Sequence, residues 1–519
     1  MDATIAQNNN RIAKNTLMLY VRMFLMMVVS LYTVRIILDV LGAEDYGIYN
    51  VVGGVVVMFS FLSRTLASAS QRFFAFEIGR KNFDQLRIVF SIMLLLFVIL
   101  ILLIIILSET IGLWFVCHEM TIPLARMKAA LLIYQISVLS FCYTLLAIPF
   151  QATIIAHEEM GIYAFVGILE SVLLLVLALF LKFGNYCVDN LVLYGILSFI
   201  SVIASQSVYI VVSLKRYRET WYKNVWDRKI ANDIISYSGW NLFGSVAGVI
   251  RSQGINILIN MFFNPTINAA RGIAYQVNNA LNHFASNFYT AVRPQITKYY
   301  AQENKEATLN LVFKSAKLTC FLFLFLALPI MVYADLILSV WLVEVPDYTT
   351  LFLRLVIITA IIDSISNPLM TLAQATGKIR LYQFVVGSLL IMNLPISWFF
   401  LYLGYQAYST MLVAISIAII SLFARLIILK HLVDFPIRNF CHLVLLRILT
   451  TVIVSTISLI ALKKVIIIVS SSNFFQLISF IVSIICSILI IVLFGFDCDE
   501  KKYITKILWE FIKKRFCIK

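Results

Sequence analysis

The sequence predicts an all-α polytopic membrane protein, and three observations carry that prediction. Of 519 residues, 61 % are hydrophobic and only 13 % charged, a balance that soluble globular domains do not reach. Apolar runs recur along the whole chain, and about 20 residues at roughly 1.5 Å each cross a bilayer core. The basic residues cluster in short connections on alternate sides of these runs, which is the orientation signal of a membrane protein. The net charge of +15 is therefore accounted for by loops, and nucleic acid is not an expected partner.

The periodicity predicts about 14 transmembrane helices, near 12–41, 46–76, 88–115, 127–155, 160–182, 190–214, 232–262, 268–296, 311–333, 349–376, 380–403, 407–430, 440–462 and 474–496. Asn8, Asn9, Asn10 and Arg11 lead into the first span without a small-residue cleavage site, so it is expected to remain as an anchor. Arg80, Lys81 and Arg87, the linker from Lys215 to Lys229, and Lys298, Lys305, Lys378, Arg380, Lys430 and Arg438 all fall on one side. The opposite side carries few cations, and acids such as Glu44, Asp45, Asp335 and Asp347. Both termini are accordingly expected in the cytoplasm, the protein lying in a bacterial inner membrane. The cysteines have no ligand spacing; a Cys117–Cys187 bridge is conceivable on the outer face.

The chain repeats itself. Ser68–Asn82 has its counterpart in Ala291–Lys305, Leu113-Trp114 in Val340-Trp341, Gln151-Ala152-Thr153 in Gln374-Ala375-Thr376, and Tyr163–Gly167 in Tyr382–Gly387. All four offsets lie between roughly 219 and 227 residues, an even number of spans, so the repeat is parallel about an axis along the membrane normal. The expected organisation is two pseudo-symmetric six-helix lobes plus two extra helices. Residues 1–214 form an N-lobe, 215–231 a basic linker and 232–430 a C-lobe, followed by two helices over 431–496. Residues 497–519 read as an amphipathic basic tail on the anionic inner leaflet, or else as a solvated charged tail.

Four spans carry polar stripes. Arg271, Tyr275, Asn278, Asn282, Ser286, Tyr289 and Arg293 are spaced by three or four and occupy one narrow face of their helix. Ser238, Asn241, Ser245, Gly248, Ser252, Asn256 and Asn260 do the same on the preceding span. In the first lobe, Tyr46, Asn50, Gly53, Ser60, Arg64, Ser68 and Gln71 share a face, as do Asn15, Arg22 and Thr33. Lipid rejects such stripes, so they are expected to line a wet or substrate-filled cavity between the lobes. Snorkelling or a structural ion pair is the alternative for Arg22 and Arg64, and snorkelling is expected of Arg35 and Arg354. Asp363 and Glu170 are acids at depth. Each is a candidate for Na⁺ or H⁺ coupling, or for pairing with an arginine. Whether Arg251 and His283 face the cavity is left open, because each lies about 100° off its stripe. No nucleotide loop, metal-ligand spacing or nucleophile elbow is present, so neither an enzyme nor a bound cofactor or metal is expected.

In these features the chain resembles the Wzx-type polysaccharide flippases of the multidrug/oligosaccharidyl-lipid/polysaccharide (MOP) exporter superfamily. The resemblance rests on Arg11-Ile-Ala-Lys-Asn15, the Leu41-Gly-Ala-Glu-Asp-Tyr-Gly-Ile-Tyr49 turn, Ser68–Arg72 with Gly79-Arg-Lys81, and Ser238-Gly239-Trp240-Asn241. It implies export of undecaprenyl-pyrophosphate-linked oligosaccharide, such as O-antigen or other lipopolysaccharide or capsule units, by alternating access. It also implies a polysaccharide polymerase and a chain-length regulator as candidate partners. A cation-coupled drug exporter of the same superfamily and a membrane polysaccharide polymerase or ligase are the alternative readings. Arg64→Ala should weaken export more than Arg35→Ala in a complementation assay, because only Arg64 lies on a stripe. Equal losses would remove the case for that stripe.

Overall fold

The computed structural model describes residues 2–57, 59–118, 122–184, 189–263, 265–342, 345–469, 473–497 and 500–501. Every regular element among them is helical. Among the described residues twelve helices are long and apolar enough to cross a membrane, so the chain is a multi-pass membrane protein. Two of the expected spans are not among the twelve: the stretch around Ser60–Arg80 and the helix Pro265–Ala301. These are the segments whose polar stripes lower their hydropathy.

The fold comprises two compact units, made of residues 1–245, 290–305 and 374–380 in the first and 246–289, 306–373 and 381–519 in the second. The first unit begins with Asp2–Val57, a helix broken at Gly42, where φ is 75°. A left-handed backbone there suits glycine, which has no Cβ to clash. The second span was expected to run unbroken from 46 to 76; instead one helix ends at Val57 and the next begins at Ser60. Gly53 and Gly54 followed by three valines explain the weakness, since both residue types disfavour a helix interior. Phe83–Leu107, Met127–Ala156, Met160–Phe183 and Asn190–Arg216 complete the bulk of the unit.

Aromatic rings fill its core. Phe90 packs against Phe74 and Phe150 with ring centroids 5.8 and 5.2 Å apart, and all three are buried. Phe83–Leu107 continues through a π turn over Ser108–Gly112 into Leu113–His118. A π turn releases a carbonyl from the regular ladder, and here the Tyr134 hydroxyl donates to Ser108 O at 2.8 Å. Gly112 makes room for that hydroxyl, which a Cβ would approach to 2.1 Å.

In the second unit, Pro265–Ala301, Lys305–Val332, Thr349–Thr376 and Ser409–Val433 contribute to a core that includes Ala274, Phe323, Phe352 and Met411, and Arg380–Tyr402 is a further helix of the unit. Leu446–Val469 and Asn473–Ile490 pack on one another, and Thr451, Ser455, Ser479, Ser483 and Ser487 along them are fully buried. Small hydroxyl residues let helix backbones approach where lipid offers no hydrophobic drive to associate. Tyr333 and Ser479 share a hydrogen bond, and Lys463 Nζ donates to Val332 O at 2.9 Å. Another tie comes from buried Lys317, which pairs with Glu500 at 2.8 Å and Asp497 at 3.3 Å. Of the expected basic tail over 497–519, only 497, 500 and 501 are described; 498–499 and 502–519 lie outside the described residues, as does Cys187 of the conceivable disulfide.

One close approach in the first unit is testable. A Cβ on Gly79 would lie 2.9 Å from the Lys298 backbone and from Ala301. Gly79→Val should therefore lower stability by about 1–3 kcal/mol through overpacking, read as a lowered melting temperature in detergent. Gly239→Ala, where nothing lies within 4 Å of the new methyl, should leave melting unchanged or raised.

Candidate functional site

Within the first unit, three of the expected stripe residues meet. Arg293 donates to the Ser68 hydroxyl, to Gln71 Oε1 at 3.4 Å and to Gln374 Oε1 at 3.0 Å. Arg72, quoted in the sequence motif but not among the expected site residues, lies beside them. Its Nε donates to Gln374 O at 3.2 Å and its Nη2 to Ala375 O at 3.0 Å. These are carbonyls in the last turn of Thr349–Thr376, where the helix dipole and unpaired C=O groups favour a cation. The chain then turns at Gly377 with φ 75°, and a Cβ there would lie 2.6 Å from Arg72 Nη2. Arg72 is 8 % exposed, and Phe73, Phe76 and Tyr237 rings surround its guanidinium.

A second basic residue is largely buried at another helix end of the first unit. Lys298 Nζ meets Glu158 Oε1 at 2.6 Å in the turn after Met127–Ala156. Glu158 is 2 % exposed with φ 63°; Arg11 Nε lies 3.6 Å from its carboxylate and Asn15 Nδ2 donates to its carbonyl at 2.8 Å. Gln151-Ala152-Thr153 and Gln374-Ala375-Thr376 thus each end a helix close to a largely buried cation, through the Glu158 side chain in one case and through backbone carbonyls in the other.

Arg22 stands apart from this cluster. Its guanidinium carbon lies 4.1 Å over the Tyr163 ring, and its buried Nε has no hydrogen-bond partner. Gly167 leaves the space, since a Cβ would come within 2.3 Å of that nitrogen. Glu170, half-buried, is close enough to act on Arg22 electrostatically, without an ion pair within 4 Å. Arg64 is exposed and Asn241 buried, and neither joins the Arg293 cluster. The side chain of Asn50 lies outside the described residues.

In the second unit, the stripe expected on the helix before Asn264 crosses a π turn over Ile250–Gly254. Successive spacings of four drift by about 40° per step in a regular helix, and the extra residue of a π turn takes up part of that drift. Arg271, 3 % exposed, donates to Asn256 Oδ1 and, at 3.1 Å, to Ser252 O within that turn. Its guanidinium carbon lies 4.5 Å over the Tyr275 ring, and its Nε is buried without a partner. Asn278, further along the same helix, is 8 % exposed with an unpartnered Oδ1. Asn282 is half-buried and His283 exposed.

The structure pairs Asp363 with Arg251, Oδ2 to Nη1 being 3.6 Å. Arg354 pairs with Asp335 at 2.9 Å, where the sequence suggested snorkelling. Sequence reasoning missed Arg425. It is 8 % exposed, donating to the Tyr382 hydroxyl at 3.0 Å and Ser366 Oγ at 3.1 Å. The available signal was a lone charge inside the apolar run Ser409–Val433. A shallow concavity of about 460 Å³, lined by Asp335, Pro346, Asp347, Tyr348 and Arg354, takes in none of the stripe residues. Among the described residues no group of three His, Cys, Asp or Glu side chains is placed to hold a metal.

The fold and these clusters define a polytopic helical membrane protein with cation-bearing polar sites at membrane depth. No family model and no curated protein matches the sequence. Among solved structures, the chain is similar to an outward-facing MATE multidrug resistance transporter of the MOP superfamily, with TM-score 0.70, 13 % identity, and 82 % of this chain and 96 % of that one covered. A MATE structure in complex with MaD3S matches at TM-score 0.68 and 15 % identity, over 82 % and 97 %. A MOP superfamily transporter from Pyrococcus furiosus, described as having a binding pocket of reversed polarity, matches at 0.67 and 13 %, over 82 % and 96 %. The fold is therefore that of the MATE-type MOP transporters.

Removing Lys298 leaves buried Glu158 with the longer, half-exposed Arg11 contact, and breaking a buried pair costs up to about 3–5 kcal/mol. Lys298→Met should accordingly lower the melting temperature sharply, and Lys298→Met with Glu158→Gln should recover much of the loss. Independent, additive losses would mean that the pair carries no coupling.

Proposed function

We propose that the protein is a membrane exporter for an amphiphile with a negatively charged, hydroxyl-rich head, and specifically a flippase for undecaprenyl-pyrophosphate-linked oligosaccharide. The supporting observation is the sign and setting of the buried charge. Arg22, Arg271 and Arg293 lie among amides, hydroxyls and tyrosine rings, and none has a carboxylate within 4 Å among the described residues. A cation held this way at membrane depth keeps its attraction for a phosphate, because low dielectric strengthens the interaction and no counter-charge has already satisfied it. Asn256, Asn278 and Asn282 suit sugar hydroxyls, and the Tyr275 face suits a sugar ring. The lipid tail needs no polar groove and can stay in the bilayer. An inside-negative potential favours outward movement of an anion by about 2.3 kcal/mol per charge per 100 mV, so ion coupling is not required. The polymerase and chain-length regulator remain proposed partners, and a bacterial inner membrane the proposed location.

A second reading, a cation-coupled drug exporter, draws support from Asp363. Its side chain is 42 % exposed and only loosely paired at 3.6 Å, leaving a carboxylate that a cation can reach. The two readings separate on one assay. Purified protein in proteoliposomes should move lipid pyrophosphate-linked glycan without an ion gradient. Arg271→Ala and Arg293→Ala should cut that rate by tenfold or more, while Asp363→Asn keeps most of it. Transport that survives both arginine changes but is lost with Asp363→Asn would overturn the flippase reading, as would normal surface glycan in cells deleted for the gene.

A further inference from the structure

The connection between Asn190–Arg216 and Arg228–Val249 is held in place rather than free. Trp221 O accepts from Arg87 Nε at 2.9 Å, Lys223 N donates to Ser91 Oγ at 2.9 Å, and Trp221 Nε1 donates to Leu214 O at 3.0 Å. Its acids are already engaged. Glu219 meets His157 Nε2 at 2.8 Å. Burial pushes the Glu219 carboxyl up, but the His157 hydrogen bond and a backbone amide outweigh it and hold the group below the usual carboxylate range. Asp227 Oδ1 accepts from the backbone of Lys229 at 2.8 Å and Ile230 at 3.2 Å, capping the next helix.

What the segment turns outward is unusual in composition. Trp221, Tyr222 and Trp226 are 58, 52 and 52 % exposed. Around them Lys215, Arg218, Lys223, Arg228 and Lys229 are exposed, with no carboxylate within 4 Å among the described residues. We propose that this surface binds the anionic lipid headgroups of the membrane in which the protein sits, its rings entering the interfacial layer and its cations meeting lipid phosphates. The segment joins the ends of two membrane-spanning helices, which places it at the bilayer boundary. Amphipathic rings belong at that depth, and a run of unpaired Lys and Arg complements an anionic surface. The hydrogen bonds above prevent the loop from folding its rings back under itself. This inference concerns the linker alone and stands whether or not the transport reading does.

The test uses the full chain in nanodiscs of phosphatidylcholine alone or mixed with phosphatidylglycerol, with brominated acyl chains as quencher. Trp226→Phe, compared with the unaltered protein, isolates the Trp226 signal. That signal should be quenched by bromolipid and shielded from aqueous iodide. Phosphatidylglycerol retained on the detergent-extracted protein, counted by native mass spectrometry, should weaken in affinity by roughly fivefold for each cation removed at low salt. Lys223→Gln, Arg228→Gln and Lys229→Gln are exposed changes suited to that count. Free access of iodide to Trp226 in nanodiscs, the signature of a solvated or protein-binding surface, would overturn the proposal. So would equal phosphatidylglycerol retention by the triple variant and the unaltered protein.

Discussion

A polar group buried away from water must be satisfied from within, so every buried cation in this chain needs its partner inside the protein. The structure meets that requirement in graded ways. Arg72 takes helix-end carbonyls, Arg425 takes a tyrosine and a serine hydroxyl, and Lys298 takes the carboxylate of Glu158. Arg22 and Arg271 are satisfied in part, each lying over a tyrosine ring and keeping a buried Nε without an acceptor. That grading separates scaffold from candidate site. A group with complete partners holds helices together, whereas one with an unfilled donor has something left to bind.

The same logic explains the local geometry around these groups. Where a cation needs an acceptor, the helix supplies one by ending or by widening: Thr349–Thr376 ends beneath Arg72, and the π turn at Ile250–Gly254 offers Ser252 O to Arg271. Where a side chain needs room, glycine provides it, as at Gly167 beside Arg22 and Gly377 beside Arg72. Two helix ends each receive a basic side chain from far away in the sequence: Lys298 meets the Glu158 carboxylate after Met127–Ala156, and Arg72 meets carbonyls of Gln374 and Ala375.

Composition and hydrophobic period were enough to read the class of fold, because lipid leaves only helices or closed barrels as spanning structures. The 3.6-residue period also placed Arg271 with Tyr275, and Ser68 with Gln71, on shared faces. Pairings across long sequence separations were not legible. The Arg251–Asp363 ion pair and the three acceptors of Arg293 depend on how separate helices pack, and a single sequence carries no signal for that. The break between Val57 and Ser60 was hidden for a different reason: its polar stripe continued in register across it, so the face pattern outvoted the weak helix propensity of Gly53–Val57.

Neighbours at 13–15 % identity carry the fold and leave the cargo open, since one scaffold serves many substrates. The choice must come from the chemistry of the sites. A binding site for cationic drugs needs carboxylates with free oxygens facing open space. Here the deep acids are few, Asp363 lies opposite Arg251 and Glu170 near Arg22, and Glu158 is shared by Lys298 and Arg11. Arg22 and Arg271 each keep a buried Nε without an acceptor, and Asn278 an unpartnered Oδ1, alongside several serine, threonine and tyrosine hydroxyls. Unfilled cationic donors beside hydroxyls and amides are the chemistry on which the proposed anionic, hydroxyl-rich cargo rests.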